Sequence, residues 1–134
     1  MVLINMIDVD YIMSLIDWNQ SSEKQKTGIQ MAKNIQSINV FLQPCNKNYN
    51  KNVWDNCAQI LSERTDDELS SYFEELMCWL QDMNWPGAFC IFDRLKKMLD
   101  VPGFQYSYNV CMKCAKALDD EAWINNLEML KEEN

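Results

Sequence analysis

Apolar residues recur every three or four positions through most of the chain, the period of helices that each bury one face. In residues 8–18, Ile12, Leu15 and Ile16 share a face, with Tyr11 and Trp18 beside them. Ser22 followed by Gln25 fits a capping box and opens a second helix, expected to reach about Ile38 with Ile29, Ala32 and Ile35 on its stripe. Gly28 near its start points to close helix packing. From Gln43 to Asn52 the pattern breaks: Pro44 stops a helix, and Asn46, Asn48, Asn50 and Asn52 favour turns. A third helix over about 52–62 turns Val53, Trp54, Cys57, Ile60 and Leu61 inward. Thr65, with acids after it and Glu68 three residues on, starts a fourth helix from Asp66 to about Gln81. Its stripe is Leu69, Phe73, Leu76 and Leu80, widened by Tyr72 and Trp79.

A fifth helix is expected from Trp85 or Pro86, since proline is tolerated in a first turn. Ala88, Phe89, Phe92, Leu95 and Leu99 form its apolar face, and Asp93, Arg94, Lys96 and Lys97 face water. Val101-Pro102-Gly103 ends it. A sixth helix covers about 104–118 with Val110, Cys111, Cys114 and Leu118 inside. Asp119 and Asp120 cap a seventh, carrying Trp123, Leu127 and Leu130. No stretch alternates as a strand does. The expected fold is all-α: about seven helices in antiparallel hairpins, either a HEAT-like α-solenoid or an irregular helical bundle. Helices one and two, four and five, and six and seven pair, with the third wedged between. The chain 1–134 reads as a single helical domain, with an N-terminal hairpin in 1–43 and a core in 52–134.

Charge narrows the function. The net charge is -8. Residues 1–50 balance, 51–100 carry five basic against ten acidic groups, and 101–134 carry three against six. Such a field repels phosphate backbones and attracts basic proteins, so a protein partner is expected and nucleic acid is not. The first six residues lack the basic region of a signal peptide, and no segment is apolar enough to span a membrane. The six cysteines are then expected as reduced thiols in a cytoplasmic protein, with no membrane association.

The chemistry available is thin. Histidine is absent, which removes the commonest general base and metal ligand. Cys111-Met112-Lys113-Cys114 is a CxxC, but no second pair completes a zinc site and no βαβ pattern adjoins it. Cys111 and Cys114 read as buried core thiols, as do Cys57, Cys78 and Cys90. Asp66, Asp67, Glu68, Glu74 and Glu75 lack calcium-loop spacing and read as a cap and a solvated face. No catalytic residue, metal or cofactor is expected. The stretch Trp79-Leu80-Gln81-Asp82-Met83-Asn84-Trp85-Pro86-Gly87-Ala88 reads as a specified helix-turn-helix corner. Asp82 or Asn84 is expected to cap the helix after it, with Trp79 and Trp85 packed across it. Gln81, Asp82, Asn84 and Trp85 are the candidate partner-binding residues.

Asn52-Val53-Trp54-Asp55-Asn56-Cys57-Ala58, Asp66-Asp67-Glu68-Leu69 and the Trp79–Ala88 corner together resemble a family of small bacterial proteins of unknown function, marked by a WLQDxNWPGA core. The resemblance covers about residues 52–118, and Leu15-Ile16-Asp17-Trp18-Asn19 resembles a companion segment ahead of that core. It implies an all-helical, HEAT-like fold in the bacterial cytosol and brings no catalytic residues. Small acidic proteins of this kind are similar to immunity proteins of bacterial toxin systems. The expected function is therefore a non-catalytic protein-interaction module, an immunity-type inhibitor of a toxin. The alternatives are a general scaffold or adaptor and, in a different class, a HEAT-like nucleic-acid glycosylase.

Overall fold

The structure is a computed structural model, and among the residues it describes, 2–46 and 48–133, every regular element is helical. Met1, Lys47 and Asn134, which belong to the N-terminal stretch, the 43–52 break and the domain end read from sequence, lie outside the described residues. The helices are α1 (Val2–Leu15), α2 (Ser22–Ala32), α3 (Gln43–Asn46), α4 (Trp54–Ser62), α5 (Asp66–Ser70), α6 (Phe73–Cys78), α7 (Ala88–Lys96), α8 (Phe104–Ala117) and α9 (Glu121–Met129). Turns of 3-10 helix occupy Ile38–Phe41, Lys51–Val53 and Trp79–Gln81. One continuous apolar core runs from Ile12 to Leu130.

Most inward positions follow the helical stripe, but several boundaries do not. α2 is capped by Ser21, whose side chain accepts the N–H of Lys24, and the Gln25 amide instead donates to Gln20 O at 2.8 Å. α2 also stops at Ala32 rather than near Ile38. There the Arg64 guanidinium takes over the loose carbonyls, donating to Ala32 O at 2.8 Å and Ile35 O at 2.6 Å. The fourth helix read from sequence is three pieces. Ser70 Oγ bonds back to Asp67 O, and Tyr72 leaves helical geometry at φ −125°, ψ 23°. Leu69, Phe73, Leu76 and Leu80 stay buried across the breaks.

The corner and the α7–α8 connection share a device. In both, Pro-Gly precedes a helix: Trp85-Pro86-Gly87-Ala88 and Val101-Pro102-Gly103-Phe104. Each glycine is left-handed, with φ +86° at Gly87 and +92° at Gly103. The fourth residue donates back to the first, Ala88 N to Trp85 O and Phe104 N to Val101 O, both 3.1 Å. These are type II turns, with proline second and glycine third. Pro86 therefore lies ahead of α7, not within its first turn, and neither Asp82 nor Asn84 caps that helix; its N-cap is Gly87.

The expected hairpins are present: α1 packs on α2, α6 and the turn after it meet α7, and α8 packs on α9; but α4 packs chiefly on α7, and α6 chiefly on α8. Non-neighbours meet in the middle, which makes an irregular bundle. Gly28 lets α2 close on α1, since a Cβ there would lie 2.6 Å from Ile16 Cγ2. Asn56 ties the N-terminal hairpin to α4, donating to Ile16 O at 2.8 Å and Gln25 Oε1 at 2.9 Å.

Three basic side chains thought to face water, or unassigned, instead close helix C-termini, where carbonyls lack partners. Besides Arg64 on α2, Arg94 donates to Ser62 O at 3.0 Å, Arg64 O at 2.8 Å and Asp66 Oδ1 at 2.7 Å beyond α4. Lys96 reaches Met129 O, Leu130 O and Glu132 O at the end of α9. Both arginines of the chain are thus committed to the fold.

The two Pro-Gly turns differ in their surroundings. A Cβ on Gly87 would sit 2.6 Å from Ala58 Cβ and 2.9 Å from Trp54 O, whereas one on Gly103 meets nothing within 4 Å. Gly103→Ala should cost only the left-handed conformation, about 1–2 kcal/mol. Gly87→Ala adds overpacking of about 1–3 kcal/mol. Urea midpoints of both variants check this; equal losses would refute the buried close approach. A second outcome concerns Tyr49, whose hydroxyl donates to Asp10 Oδ1. Burial, then that bond, push its pKa from 10.0 to about 12. The fold favours the neutral phenol, so this contribution to stability is complete below the unfolded pKa of 10.0 and lost as the pH rises to about 12. Ultraviolet titration should show a late tyrosinate phase that Tyr49→Phe removes.

Candidate functional site

The corner is built from Trp79 outward. Its ring is fully buried, packs edge-on against Trp54 at 6.2 Å and 75°, and donates its indole N–H to Pro86 O at 2.9 Å. That bond crosses the corner and fixes the Pro-Gly turn. The backbone leaves the Trp79–Gln81 turn through extended Asp82, whose Oδ1 accepts the N–H of Asn84 at 2.8 Å. The Asp82 carbonyl accepts the N–H of Trp85 at 3.0 Å.

The four candidate residues therefore separate. Gln81 and Asp82 are half-buried, and Asp82 is spent on the local turn. Asn84 is exposed. Trp85 is half-buried: one edge meets the Trp54 ring at 5.6 Å and 87°, and the rest forms a ridge between two hollows. One hollow is lined by Tyr49, Asn50, Lys51, Asn52 and Trp54, with Lys51 Nζ 5.8 Å from the Trp54 centroid. The other, of about 320 Å³, lies among Asp55, Asn84, Trp85, Gly87, Phe89 and Cys90. A cation edges the first hollow and a carboxylate the second.

Phe89 corrects the sequence reading. It is 68 % exposed, not part of the buried face of α7. The true stripe is Ala88, Ile91, Leu95 and Met98, all buried, while Phe92 and Leu99 are half-buried. Both stripes have helical spacing. The small Ala88 seated after the tightly packed Gly87 sets which one faces in. Asp55 was likewise unmarked, because an acid in a first helical turn already suits the dipole.

The thiols split differently from expectation. Cys111 and Cys57 are buried, but Cys114 is exposed, and Cys78 and Cys90 are half-buried. Leu118 is also outside, 70 % exposed. The inner face of α8 is Phe104, Ser107, Tyr108, Cys111 and Ala115, so its phase is set by the aromatic rings stacked near Phe73. Burial raises the Cys57 thiol far above its ordinary range and pushes Cys111 up to about 12, with Glu74 adding to the latter. The bond with Cys45, then burial, raise Cys78. Burial, and to a smaller extent Asp93, Asp55 and Glu63, raise Cys90. Raised thiols are poor nucleophiles and poor ligands. Among the described residues no three Cys, Asp or Glu side chains converge to hold a metal. Alkylation of the native protein should mark Cys114 first and Cys57 at least about a hundredfold later, after local opening. Peptide mass spectrometry at timed quench reads the order; early labelling of Cys57 would contradict its burial.

Among the described residues no helix is long and apolar enough to cross a membrane. No curated protein matches the chain, and no solved structure does. Residues 50–133, which hold the corner, α4 to α9 and the lining of both hollows except Tyr49, match the family described as Domain of unknown function (DUF5071), and the chain belongs to that family.

Proposed function

We propose that the chain is a non-catalytic protein-interaction module whose contact surface is the outer side of the corner, at Asn84, Trp85 and Phe89. One observation carries this. Packing and hydrogen bonds account for Trp79, Asp82, Pro86 and Gly87, but not for a tryptophan ridge and an exposed phenylalanine side by side on the surface. Aromatic anchors beside shallow hollows are what protein interfaces use as hot spots. With a net charge of -8, the favoured partner is basic. The specific form we favour is an immunity-type inhibitor of a toxin in the bacterial cytoplasm. The absence of histidine supports binding over catalysis.

The test is affinity capture from cells of the source, using the natural chain and Asn84→Arg. Asn84 is exposed, so this change should leave circular dichroism and thermal melting within experimental scatter. A stoichiometric partner held by the natural chain should be lost with Asn84→Arg. Retention of that partner at equal yield, or no partner at all, sinks the proposal. A partner that is toxic alone and harmless when co-expressed with this chain identifies the immunity form over a general scaffold.

A further inference from the structure

The slot on the Asp55 side of Trp85 has a composition that selects its occupant. We propose that it takes a single arginine side chain of the partner protein, an inference that rests on the corner being an interaction surface. Its volume, about 320 Å³, lies at the lower end of small-molecule pockets and suits one side chain rather than a cofactor. Two aromatic rings wall it, Trp85 and Phe89. Asp55 stands at its rim and Asn84 beside it. Cys90 lines it as well.

None of the side chains lining the slot is cationic. The ion pairs among the described residues are Arg64–Glu68 and Arg94–Asp66, and Asp55 belongs to neither. Lys51 lies over Trp54, in the hollow across the Trp85 ridge. The slot thus combines aromatic rings with a carboxylate that forms no ion pair among the described residues. A guanidinium is planar, weakly hydrated and always charged. It stacks on an aromatic face and donates in a fork to a carboxylate at the same time. A lysine ammonium carries the charge but is more strongly hydrated and cannot stack. An uncharged side chain of the same length meets the rings and leaves the carboxylate unanswered.

The test is an amide-and-indole NMR titration of the full chain with three blocked tripeptides, glycine–X–glycine, where X is arginine, lysine or norleucine. Arginine should move the Trp85 indole and the Asp55 and Phe89 amides, lysine should bind at least about threefold more weakly, and norleucine should leave them in place. Asp55→Asn should weaken the arginine peptide about fivefold to tenfold. Phe89→Ser, at an exposed position that does not build the core, should weaken it about threefold or more and guards against a folding defect at the start of α4. Equal shifts from norleucine would make the slot merely apolar. Arginine shifts spread over the acidic helices, or unchanged by both substitutions, would make the effect diffuse charge; either result overturns the proposal. Capture of a protein partner that is lost with Asn84→Arg yet unaffected by Asp55→Asn would overturn the arginine slot while leaving the interaction surface standing. Arginine-specific binding at the slot with no captured partner would do the reverse.

Discussion

The hydrogen bond from the Trp79 indole to Pro86 O, inside a corner with no room for anything larger than glycine, holds the molecule's shape. It does three things at once. It satisfies a buried indole N–H, which would otherwise cost about 1–3 kcal/mol. It fixes the Pro-Gly turn, whose left-handed Gly87 sends α7 back across α4. And it leaves the Trp54 ring caught edge-on between Trp79 and Trp85. Aromatic pairs of this geometry add about 0.5–1.5 kcal/mol each beyond burial. The three tryptophans form a graded series from fully buried Trp79, through buried Trp54, to half-buried Trp85. The first two hold the last ring in place, which is what the proposed contact surface requires of it.

Around that corner the bundle is closed by side chains that answer backbone carbonyls at helix ends. Arg64, Arg94 and Lys96 do so with charge. Trp123 donates its indole N–H to Met77 O at 3.1 Å, and Asn126 its amide to Leu80 O at 2.8 Å, fastening α9 to the end of α6 and the turn after it. Short helices need such closures, since a helix of five or six residues leaves most of its polar backbone groups unpaired. Committing these cations inward also has a surface consequence. Both guanidiniums are tied to carbonyls and to acids of the chain itself, so neither is offered at the surface as a free cation.

What could be read from sequence was what periodicity encodes: all-helical structure, the buried faces of α4 and α9, the Thr65–Glu68 capping box and the Asp120 cap. The box is present in full, and its bond from the Thr65 N–H is the first cause holding the Glu68 carboxyl below its ordinary pKa. What periodicity cannot encode is where a stripe is interrupted. Leu69, Phe73, Leu76 and Leu80 all stay buried although the helix is broken twice between them. Nor does it choose between two stripes that both fit. Phe89 was assigned inward as part of an apolar stripe of helical spacing, whereas beside the tight approach at Gly87 it is Ile91 that joins Ala88 on the inside. Non-local pairing was illegible for a related reason. α4 against α7 is fixed by contacts at Gly87 and Ala58, about thirty residues apart, and no local pattern announces them.

The same limit explains why the candidate site was half visible. Tryptophan, amide and carboxylate in one short stretch marked the corner. The turn then consumed Asp82, and the exposed carboxylate at the site came from α4, at Asp55, outside the motif. Trp85 consequently divides surfaces of opposite character: Lys51 with Asn50 and Asn52 on one side, Asp55 with Phe89 on the other. A ridge with a cation to one side and an anion to the other is a polarised feature. In the interface proposed above, a partner segment of complementary charge laid across it is held in one direction, because reversal sets like charge against like on both sides at once. On that proposal, specificity of orientation follows from how α4 packs under the corner, and the corner's own residues supply the ring that both hollows share.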